Sequence, residues 1–497
     1  MKKKIVKASG VTLIALVVTI VVLLILAGIT ISLVFSDNGI IAKAREASEK
    51  TNSAVTNEKV ELDKLNEYVE DIANKYDIAE NWNENKSVNI PKLGSEMTPI
   101  KWSGSEWIET TKDDEEWYDY SAKKWANAVV GGSFNENGIL DENSDYSMFV
   151  WIPRYAYSIT NGYHQSGEEI NVTEPTEGAG TIEIEFLKGK SNITKNGKEI
   201  VEYNEKTTND YTVFPEEDGE YGYVVHPAFN YGQEVTGIWV AKFEASPEGA
   251  TTDTKNSEYN GTDKTLQVKP GVSSWRAISI NNIYNVCKNY KPDLNSHLMK
   301  NKEWGACVYL SKSKYGKENE EVWINNSGNF ITGSAGNSAI ASQNVGTTND
   351  YTSVQGVEAS TTGNVYGIYD MSGGAWEYVA AYVNNNDENI TKYGDDIYLG
   401  EGKTKDTYMV GKEDTQEENY TVNSKLYGDA LWETSNEYAT TDGSWYLDCS
   451  TFPYSSRPFF LRGGRFDGAS VVGLYCFYNA TGYGYSDDSF RPVLSII

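Results

Sequence analysis

The sequence predicts an α+β protein in which a long N-terminal helix, first crossing a membrane and then forming a stalk, is followed by a mainly β head. Three observations support this prediction. Residues 11–35 are apolar and carry no charged side chain. Residues 36–76 place apolar side chains at helical spacing. From Met148 onward, apolar and aromatic runs are broken by Gly, Asn and Asp, a pattern typical of strands and turns.

The apolar run 11–35 predicts a single membrane span. As a helix it would be roughly 38 Å long, enough to cross a hydrocarbon core of about 30 Å with some tilt. Four lysines lie within residues 1–10, and positive flanks stay cytoplasmic, so the chain after Phe35 is expected outside the cell. Two alternatives are a secretory signal peptide, whose apolar region is usually about 7–15 residues, and a buried core helix.

The residues around this start, 9–18 (SGVTLIALVV), resemble the N-terminus of type IV prepilins. The resemblance implies a leader over 1–10, cleavage between Gly10 and Val11 by a prepilin peptidase, and other pilins as partners. Most pilins carry Glu at the fifth mature position, where this chain has Ala15. The difference favours a tip or minor pilin, or a pilin-like protein that stays in the membrane.

A stalk helix is predicted over 36–76, because five apolar residues step by three and four along one face: Leu62, Leu65, Val69, Ile72 and Tyr76. Residues 77–144 are expected to form a linker and a small β-rich connector. The head is assigned to 145–497, with strands at 148–153 and 237–243 and helices near 274–290 and 297–312. An acidic, turn-rich insertion is expected at about 161–220.

Charge and composition exclude several classes of function. The chain has 43 Lys and Arg against 71 Asp and Glu, a net charge of −28. This balance argues against nucleic acid as a partner, and against anionic lipid outside the anchor. Three His far apart in sequence do not supply a helical zinc pair. The four Cys are expected to be buried and free, although an even number outside the cell permits disulfides of undetermined pairing.

Six segments of the head, in order, resemble the formylglycine-generating-enzyme-like branch of the C-type-lectin fold: 148–153 (MFVWIP), 239–244 (WVAKFE), 272–276 (VSSWR), 367–378 (GIYDMSGGAWEY), 461–464 (LRGG) and 490–493 (FRPV). The resemblance implies a C-type-lectin-fold head over 145–497. Catalytic members of the family carry a copper-binding Cys pair just after the RGG motif. Here that stretch has no Cys pair and Cys476 stands alone, so the chain is predicted not to be an enzyme. The family's calcium site is matched at Glu377, whereas its Asn is replaced by Gly374. Losing that oxygen ligand weakens a hard-cation site, so Glu377 is expected either to contribute to a calcium site or to be a partly buried hydrogen-bond acceptor.

The stretch 477–489 (FYNATGYGYSDDS) has the Tyr, Gly, Ser, Asp and Asn composition of an antibody loop. Its place before the terminal FRP strand resembles the variable region of proteins diversified by diversity-generating retroelements, in which adenine positions are rewritten. Tyr, Asn, Ser, Asp, Gly and Thr are all reachable from an Asn codon by such changes. An ordinary loop of a fixed lectin-like domain is the alternative. The predicted contacts to a protein or glycan ligand are Arg465, Asp467, Phe477, Tyr478, Asn479, Thr481, Tyr483, Tyr485, Ser486, Asp487 and Asp488.

Three functions remain open from the sequence. The first is a pilin-like adhesin or receptor in the cell membrane, its head displayed outside the cell, with or without a pilus. The second is an envelope enzyme descended from the formylglycine-generating family, against which the missing Cys pair argues. The third is a structural minor pilin whose head only caps a filament.

Overall fold

The computed structural model describes residues 14, 16–20, 82–160, 163, 179–188, 194–195, 198–199 and 223–497. Residue 14 and residues 16–20 are helical. The predicted leader, the Gly10–Val11 cleavage site, the rest of the apolar run 11–35 and the stalk 36–76 lie outside the described residues. Within the described part of the chain, no helix combines the length and apolarity that crossing a bilayer requires. The chain divides into two compact units, Met1–Asp77 and Ile78–Ile497.

Among the described residues, two sheets of seven strands and one of three form most of the second unit, Ile78–Ile497. The strands of these sheets in the first half are β1 (Met97–Trp102), β2 (Trp107–Glu109), β3 (Asn127–Gly131), β4 (Tyr146–Pro153), β5 (Tyr155–Thr160), β6 (Thr181–Phe186), β7 (Val224–Val225), β8 (Gly237–Ala241) and β9 (His297–Leu298). Those in the second half are β10 (Trp376–Val383), β11 (Asp406–Tyr408), β12 (Ala439–Thr440), β13 (Ser450–Thr451), β14 (Phe459–Arg462), β15 (Phe477–Ala480), β16 (Asp488–Phe490) and β17 (Pro492–Leu494). The mainly β head predicted from the sequence is confirmed for these residues. Two-residue strands pair outside these sheets at Trp82–Asn83 with Val88–Asn89, Thr194–Lys195 with Lys198–Glu199, and Ser246–Pro247 with Leu266–Gln267.

The first seven-stranded sheet has the order β9-β17-β8-β4-β3-β1-β2. Its centre is β4, in which every residue is buried. A short, continuous apolar run is what a strand covered on both faces requires, so the strand predicted at 148–153 is confirmed. The strand predicted at 237–243 is confirmed as β8, which pairs antiparallel with β4 from Gly237 opposite Pro153 to Ala241 opposite Phe149.

The predicted connector over 77–144 is not a separate module. Strand β3 pairs antiparallel with β4, from Asn127 opposite Val150 to Gly131 opposite Tyr146, and β1 continues the sheet on the other side of β3. The head therefore includes strands that the boundary at residue 145 excluded. The two strands are consecutive and are joined by residues 132–145, but the pattern within a strand does not record which strand it pairs with.

The second seven-stranded sheet runs β11-β10-β14-β15-β13-β12, with β16 pairing in parallel with β10. Residues directly opposite one another share a face of a sheet. Glu377, Arg462 and Phe477 lie opposite one another on the inner face. Tyr378 and Leu461 lie opposite Tyr478 on the outer face, which supports the loop that joins β15 to β16.

Apart from the helical residues 14 and 16–20, the described part of the chain has four α-helices: α1 (Ile280–Tyr290), α2 (Asn301–Ser311), α3 (Glu388–Leu399) and α4 (Gln416–Val422). The helices predicted near 274–290 and 297–312 are confirmed as α1 and α2, although both begin later than predicted. The backbone N–H groups of Trp275 and Ala277 donate to the carbonyls of Ala245 and Tyr485, so these residues lie outside the helix and α1 begins at Ile280. The start of α2 is set by Glu303, whose carboxylate accepts a 2.8 Å hydrogen bond from the backbone N–H of Lys300.

Most of the predicted insertion at 161–220 lies outside the described residues. Its central part is described as β6, which pairs antiparallel with β5 from Phe186 opposite Tyr155 to Thr181 opposite Thr160. This part of the insertion is thus a regular strand of the three-stranded sheet β7-β5-β6.

The expectation of four free cysteines is wrong for two of them. Cys449 and Cys476 form a disulfide between residues 27 apart in sequence, and Cys287 and Cys307 are free and buried. The backbone N–H of Phe477 donates a 3.0 Å hydrogen bond to the carbonyl of Cys449. The disulfide therefore joins the residue before β13 to the residue before β15.

Candidate ligand-binding surface

The loop between β15 and β16, residues 481–487, is attached to the head through its own carbonyl groups. Five of its carbonyl oxygens accept hydrogen bonds from groups outside the loop. These bonds run from Ile280 N to Gly482 (3.1 Å), Tyr378 Oη to Tyr483 (2.9 Å), Ala277 N to Tyr485 (2.9 Å), the Arg276 guanidinium to Ser486, and Trp376 N to Asp487 (2.8 Å). Each bond depends on the loop's backbone and on no loop side chain. The loop conformation is consequently set by the scaffold.

Two glycines allow this close attachment. Gly482 has φ of +91°, and a Cβ there would lie 2.7 Å from the ring of Phe459. A Cβ on Gly484 would lie 2.4 Å from the backbone carbonyl carbon of Ile278. Both distances are shorter than side-chain carbons tolerate, so any larger residue would push the loop off its support.

Two tyrosines of the loop project into solvent. Tyr483 is 48% exposed and Tyr485 is 50% exposed, and their ring centroids are 5.1 Å apart with planes crossing at 70°. Tyr393 of α3 meets Tyr483 with a centroid distance of 5.8 Å and an angle of 77°. We call Tyr393, Tyr483 and Tyr485 the three-tyrosine corner. Ser486 beside it is exposed, and Thr481 is half-buried.

A second aromatic pair lies on the outer face of the sheet beside the loop. Trp376 and Tyr478 are both half-buried, with centroids 5.3 Å apart and planes at 31°. Tyr478 was predicted as a ligand contact, whereas Trp376 and Tyr393 were not. Trp376 belongs to a motif segment that was assigned to the fold, and nothing in the local sequence of Tyr393 relates it to a loop about 90 residues later.

Arg465, Asp467 and Asp487 are brought together by the structure as an ion triad. The Arg465 guanidinium donates to both carboxylate oxygens of Asp467, at 2.7 and 2.9 Å, and to Oδ2 of Asp487 at 2.6 Å. These hydrogen bonds, the one to Asp467 above all, raise the pKa of Arg465. The backbone N–H of Phe466 donates to the carbonyl of Gly374 at 2.9 Å, which ties the 465–467 turn to the start of β10. The triad carries one excess negative charge.

Three predicted contacts are closed to a ligand at this surface: Phe477, Asn479 and Asp488 are buried. Phe477 and Asn479 are alternate residues of β15, whose side chains point inward. The Asn479 amide accepts from Arg457 at 3.3 Å. Burial, followed by the neighbouring charge of Asp487, raises the pKa of Asp488 well above its ordinary value. The prediction that these three residues contact ligand is therefore corrected.

Glu377 is not placed as a calcium ligand. Its Oε2 accepts a 2.7 Å hydrogen bond from Nε of Arg491, and its other oxygen is bound by the same guanidinium. Both residues are buried, so both oxygens of the Glu377 carboxylate are occupied by an internal ion pair with Arg491. Among the described residues, no group of three or more His, Cys, Asp or Glu side chains is arranged to hold a metal ion.

The glycine at position 374 also has a structural reason. Gly374 has φ of +75°, and a Cβ there would lie 2.3 Å from Oε1 of Glu244. That oxygen accepts a 2.8 Å hydrogen bond from the backbone N–H of Ala375. An Asn at 374 would displace the buried carboxylate of Glu244, so this turn excludes the side chain that the family's calcium site uses.

Comparison with known proteins leaves the family open. No family model matches the chain, including any for pilins or formylglycine-generating enzymes, and no curated protein matches it. Among solved structures it is similar to three variants of Major Tropism Determinant. The P3c variant is 12% identical, with a TM-score of 0.23, over 52% of this chain and 50% of that one. The M1 variant is 11% identical, with a TM-score of 0.25, over 82% of this chain and 74% of that one. The I1 variant is 10% identical, with a TM-score of 0.24, over 83% of this chain and 96% of that one. The chain thus spans half the length of the P3c variant.

Proposed function

We propose that this chain is a ligand-binding protein displayed outside a bacterial cell, which recognises a protein or glycan through the surface around loop 481–487. One observation carries the proposal. The scaffold holds the loop by its carbonyl groups, while the side chains of Tyr483, Tyr485 and Ser486 face solvent. Contact side chains on a rigid support are what recognition loops use.

The groups that stabilise the loop are different from the side chains proposed to contact a ligand. Substitutions at exposed positions usually change the free energy of unfolding by less than about 0.5 kcal/mol. The residues that hold the loop in place are, by contrast, buried or part of the backbone. The contact side chains can therefore change with little cost in stability, which is the requirement for a surface that acquires new ligands.

We further propose that the head has the C-type-lectin architecture and that the loop is diversified by a retroelement. The order of six motif segments from 148 to 493 supports the first part. The second is supported by the amino-acid composition of 477–489, whose residue types are reachable from an Asn codon, and by the position of the loop before the terminal strand β17.

Two features support a location outside the cytosol. The Cys449–Cys476 disulfide is typical of oxidising compartments, because cytosolic thiols are kept reduced. The apolar run 11–35 behind a basic leader supports anchoring in the cell membrane. In this proposal the prepilin peptidase acts between Gly10 and Val11, and other pilins are partners if the chain enters a filament.

The proposal includes no catalysis. The thiol that follows the RGG motif, Cys476, is bonded to Cys449 and so is not available for copper. This supports a binding role over an oxidase derived from the same family. A structural minor pilin differs from the proposal in one respect: changes in the loop would leave all binding by the chain unaltered.

The proposal is tested by sequencing the last 100 or so bases of the gene across many cells or strains of the source organism. We expect substitutions to concentrate at 481, 483, 485 and 486, while 461–464 and 490–493 stay constant. Uniform sequence across 477–489 would overturn diversification and leave a fixed-specificity adhesin or a minor pilin. Variation spread evenly over buried and exposed positions would contradict the assigned surface.

A further inference from the structure

We propose that the three-tyrosine corner binds an ammonium group, specifically the side chain of a lysine on a protein ligand. The inference rests on the proposed ligand-binding function and specifies which chemical group of the ligand is bound. Tyr393, Tyr483 and Tyr485 meet edge to face, at 77° and 70°, and not in a stack. Each contact covers at most one ring face, so most of the ring faces remain open.

Tyrosine ring faces attract cations, because the π electrons place negative charge above and below the ring. One member of the corner already has such a partner: the Lys392 ammonium lies 4.8 Å from the centroid of Tyr393. Tyr483 and Tyr485, the more exposed members, carry no such cation from the described residues. Their exposed rings are therefore available to a cation from a ligand.

The charges around the corner favour a cation over an anion. Asp467 and Asp487 share one Arg465, so the ion triad carries one excess negative charge. On α3, Asp395 is exposed beside Tyr393, and Asp396 accepts hydrogen bonds from two asparagines of α1. The cations nearest the corner are engaged: Lys392 by the ring of Tyr393, Arg465 by two carboxylates, and the buried Arg276 by three groups, on Ser486, Thr254 and Glu258. The chain as a whole has a net charge of −28, which attracts basic ligands at longer range.

The same contacts disfavour a sugar as the occupant of the corner. Sugar hydroxyls are bound by free carboxylates and amides, and both oxygens of Asp467 are taken by Arg465. Thr481 accepts from the backbone N–H of Tyr483 at 3.2 Å. A protein ligand fits better, because the Trp376–Tyr478 pair and the ion triad extend the surface beyond the reach of one ammonium group.

The test uses two probes that differ in charge and little in shape: N-acetyl-lysine methylamide and N-acetyl-norleucine methylamide. The full-length chain, labelled with ¹³C in its tyrosine rings, is purified in a non-ionic detergent and titrated with each probe by NMR. We expect the lysine probe to shift the Tyr483 and Tyr485 signals and to bind about two- to fivefold more tightly than the norleucine probe, the range expected for an exposed cation–π contact. The difference should persist in high salt more than a surface ion pair would.

Variants locate the site. Tyr483→Phe keeps the ring and should keep the preference for lysine, whereas Tyr483→Leu should abolish it. Tyr398→Leu is the matched control, because Tyr398 is exposed on the same helix as Tyr393 but its ring contacts Tyr382. Equal affinity for both probes would overturn the proposal in favour of a merely apolar surface. Shifts confined to other tyrosines would place the cation elsewhere. Stronger binding of choline than of the lysine probe would replace lysine with a quaternary ammonium headgroup.

The outcome is separable from that of the proposed function. If the lysine preference is absent but the gene varies at the exposed loop positions, the recognition function stands and its assigned chemistry is wrong. If the preference is present but the loop is invariant, the ammonium site stands and diversification fails.

Discussion

The hydroxyl of Tyr378 donates a 2.9 Å hydrogen bond to the carbonyl oxygen of Tyr483, so a buried side chain of the second sheet holds the backbone of an exposed loop residue. The bond joins the scaffold to the backbone of a residue whose own ring is free to meet a ligand. It links the stability of the head to the geometry of the candidate surface.

Tyr378→Phe should remove this bond together with the interaction of the same hydroxyl with the buried carboxylate of Asp488. We expect the free energy of unfolding to fall by about 1 kcal/mol, and the loop amides to exchange about fivefold faster with deuterium, because a typical buried hydrogen bond contributes about that much. Tyr475→Phe is the control, since the buried Tyr475 hydroxyl has no hydrogen-bond partner among the described residues. Equal effects of the two variants in urea unfolding would contradict the role of Tyr378.

Gly484→Ala should detach the loop from the scaffold. The added Cβ would lie 2.4 Å from the carbonyl carbon of Ile278, and relieving such overlap costs about 1–3 kcal/mol. We expect lower stability in urea unfolding and loss of the Tyr483–Tyr485 ring contact by NMR. Ser486→Ala, two residues away and exposed, should change stability by less than about 0.5 kcal/mol. An unchanged loop in Gly484→Ala would show that the close approach to Ile278 is not required.

Asp488→Asn should change how stability depends on pH. Burial raises the pKa of Asp488 in the folded state, so the folded protein holds the proton more tightly than the unfolded chain does. Its contribution to stability is therefore complete below the unfolded pKa near 3.9, and it declines as pH rises toward the folded value. We expect Asp488→Asn to unfold with the same free energy as the wild type at pH 4 and a higher one at pH 7.5. Equal stabilities at pH 7.5 would mean that the carboxylate is compensated there.

Reducing the Cys449–Cys476 disulfide should lower the free energy of unfolding by about 3 kcal/mol, as expected for closing a loop of this length. In urea without reductant, two thiols should react with a thiol reagent, and four should react after reduction. The Cys449→Ala/Cys476→Ala double variant should be insensitive to reductant. Four reactive thiols before reduction would show that the disulfide does not form.

Glu377→Gln should destabilise the head by about 3 kcal/mol, because it leaves the buried guanidinium of Arg491 without its anionic partner. Asp467→Asn, in the partly exposed ion triad, should cost less than about 1 kcal/mol. Adding calcium or a chelator should leave the stability of the wild-type chain unchanged. A rise in stability with calcium that Glu377→Gln abolishes would restore Glu377 as a metal ligand.

Elements whose signals are local could be predicted from the sequence. The continuous apolar run at 148–153 predicted a fully covered strand, and β4 is buried throughout. Helix α1 was predicted near 274–290, but it starts at Ile280 because the backbone N–H groups of Trp275 and Ala277 bond to Ala245 and Tyr485. The pairing of β3 with β4 moves the head boundary before residue 145. It was not predictable, because the pattern within either strand does not record its partner across the intervening residues 132–145.

The site was predicted in part for the same reason. The Gly- and Tyr-rich composition located the loop, but it also led to the inclusion of Phe477 and Asn479, which the alternation of β15 turns inward. Trp376 and Tyr393 were missed, since only folding brings them beside residues about 90 or more positions later.

The sequence by itself determined where the Gly- and Tyr-rich loop lies along the chain and which residue types it offers, because composition and turn chemistry are local properties. Only the tertiary structure decided which of those side chains face outward. That choice depends on strand register and on the hydrogen bonds from Arg276, Ala277, Ile280, Trp376 and Tyr378 to the loop's carbonyl groups, all made across long distances in sequence.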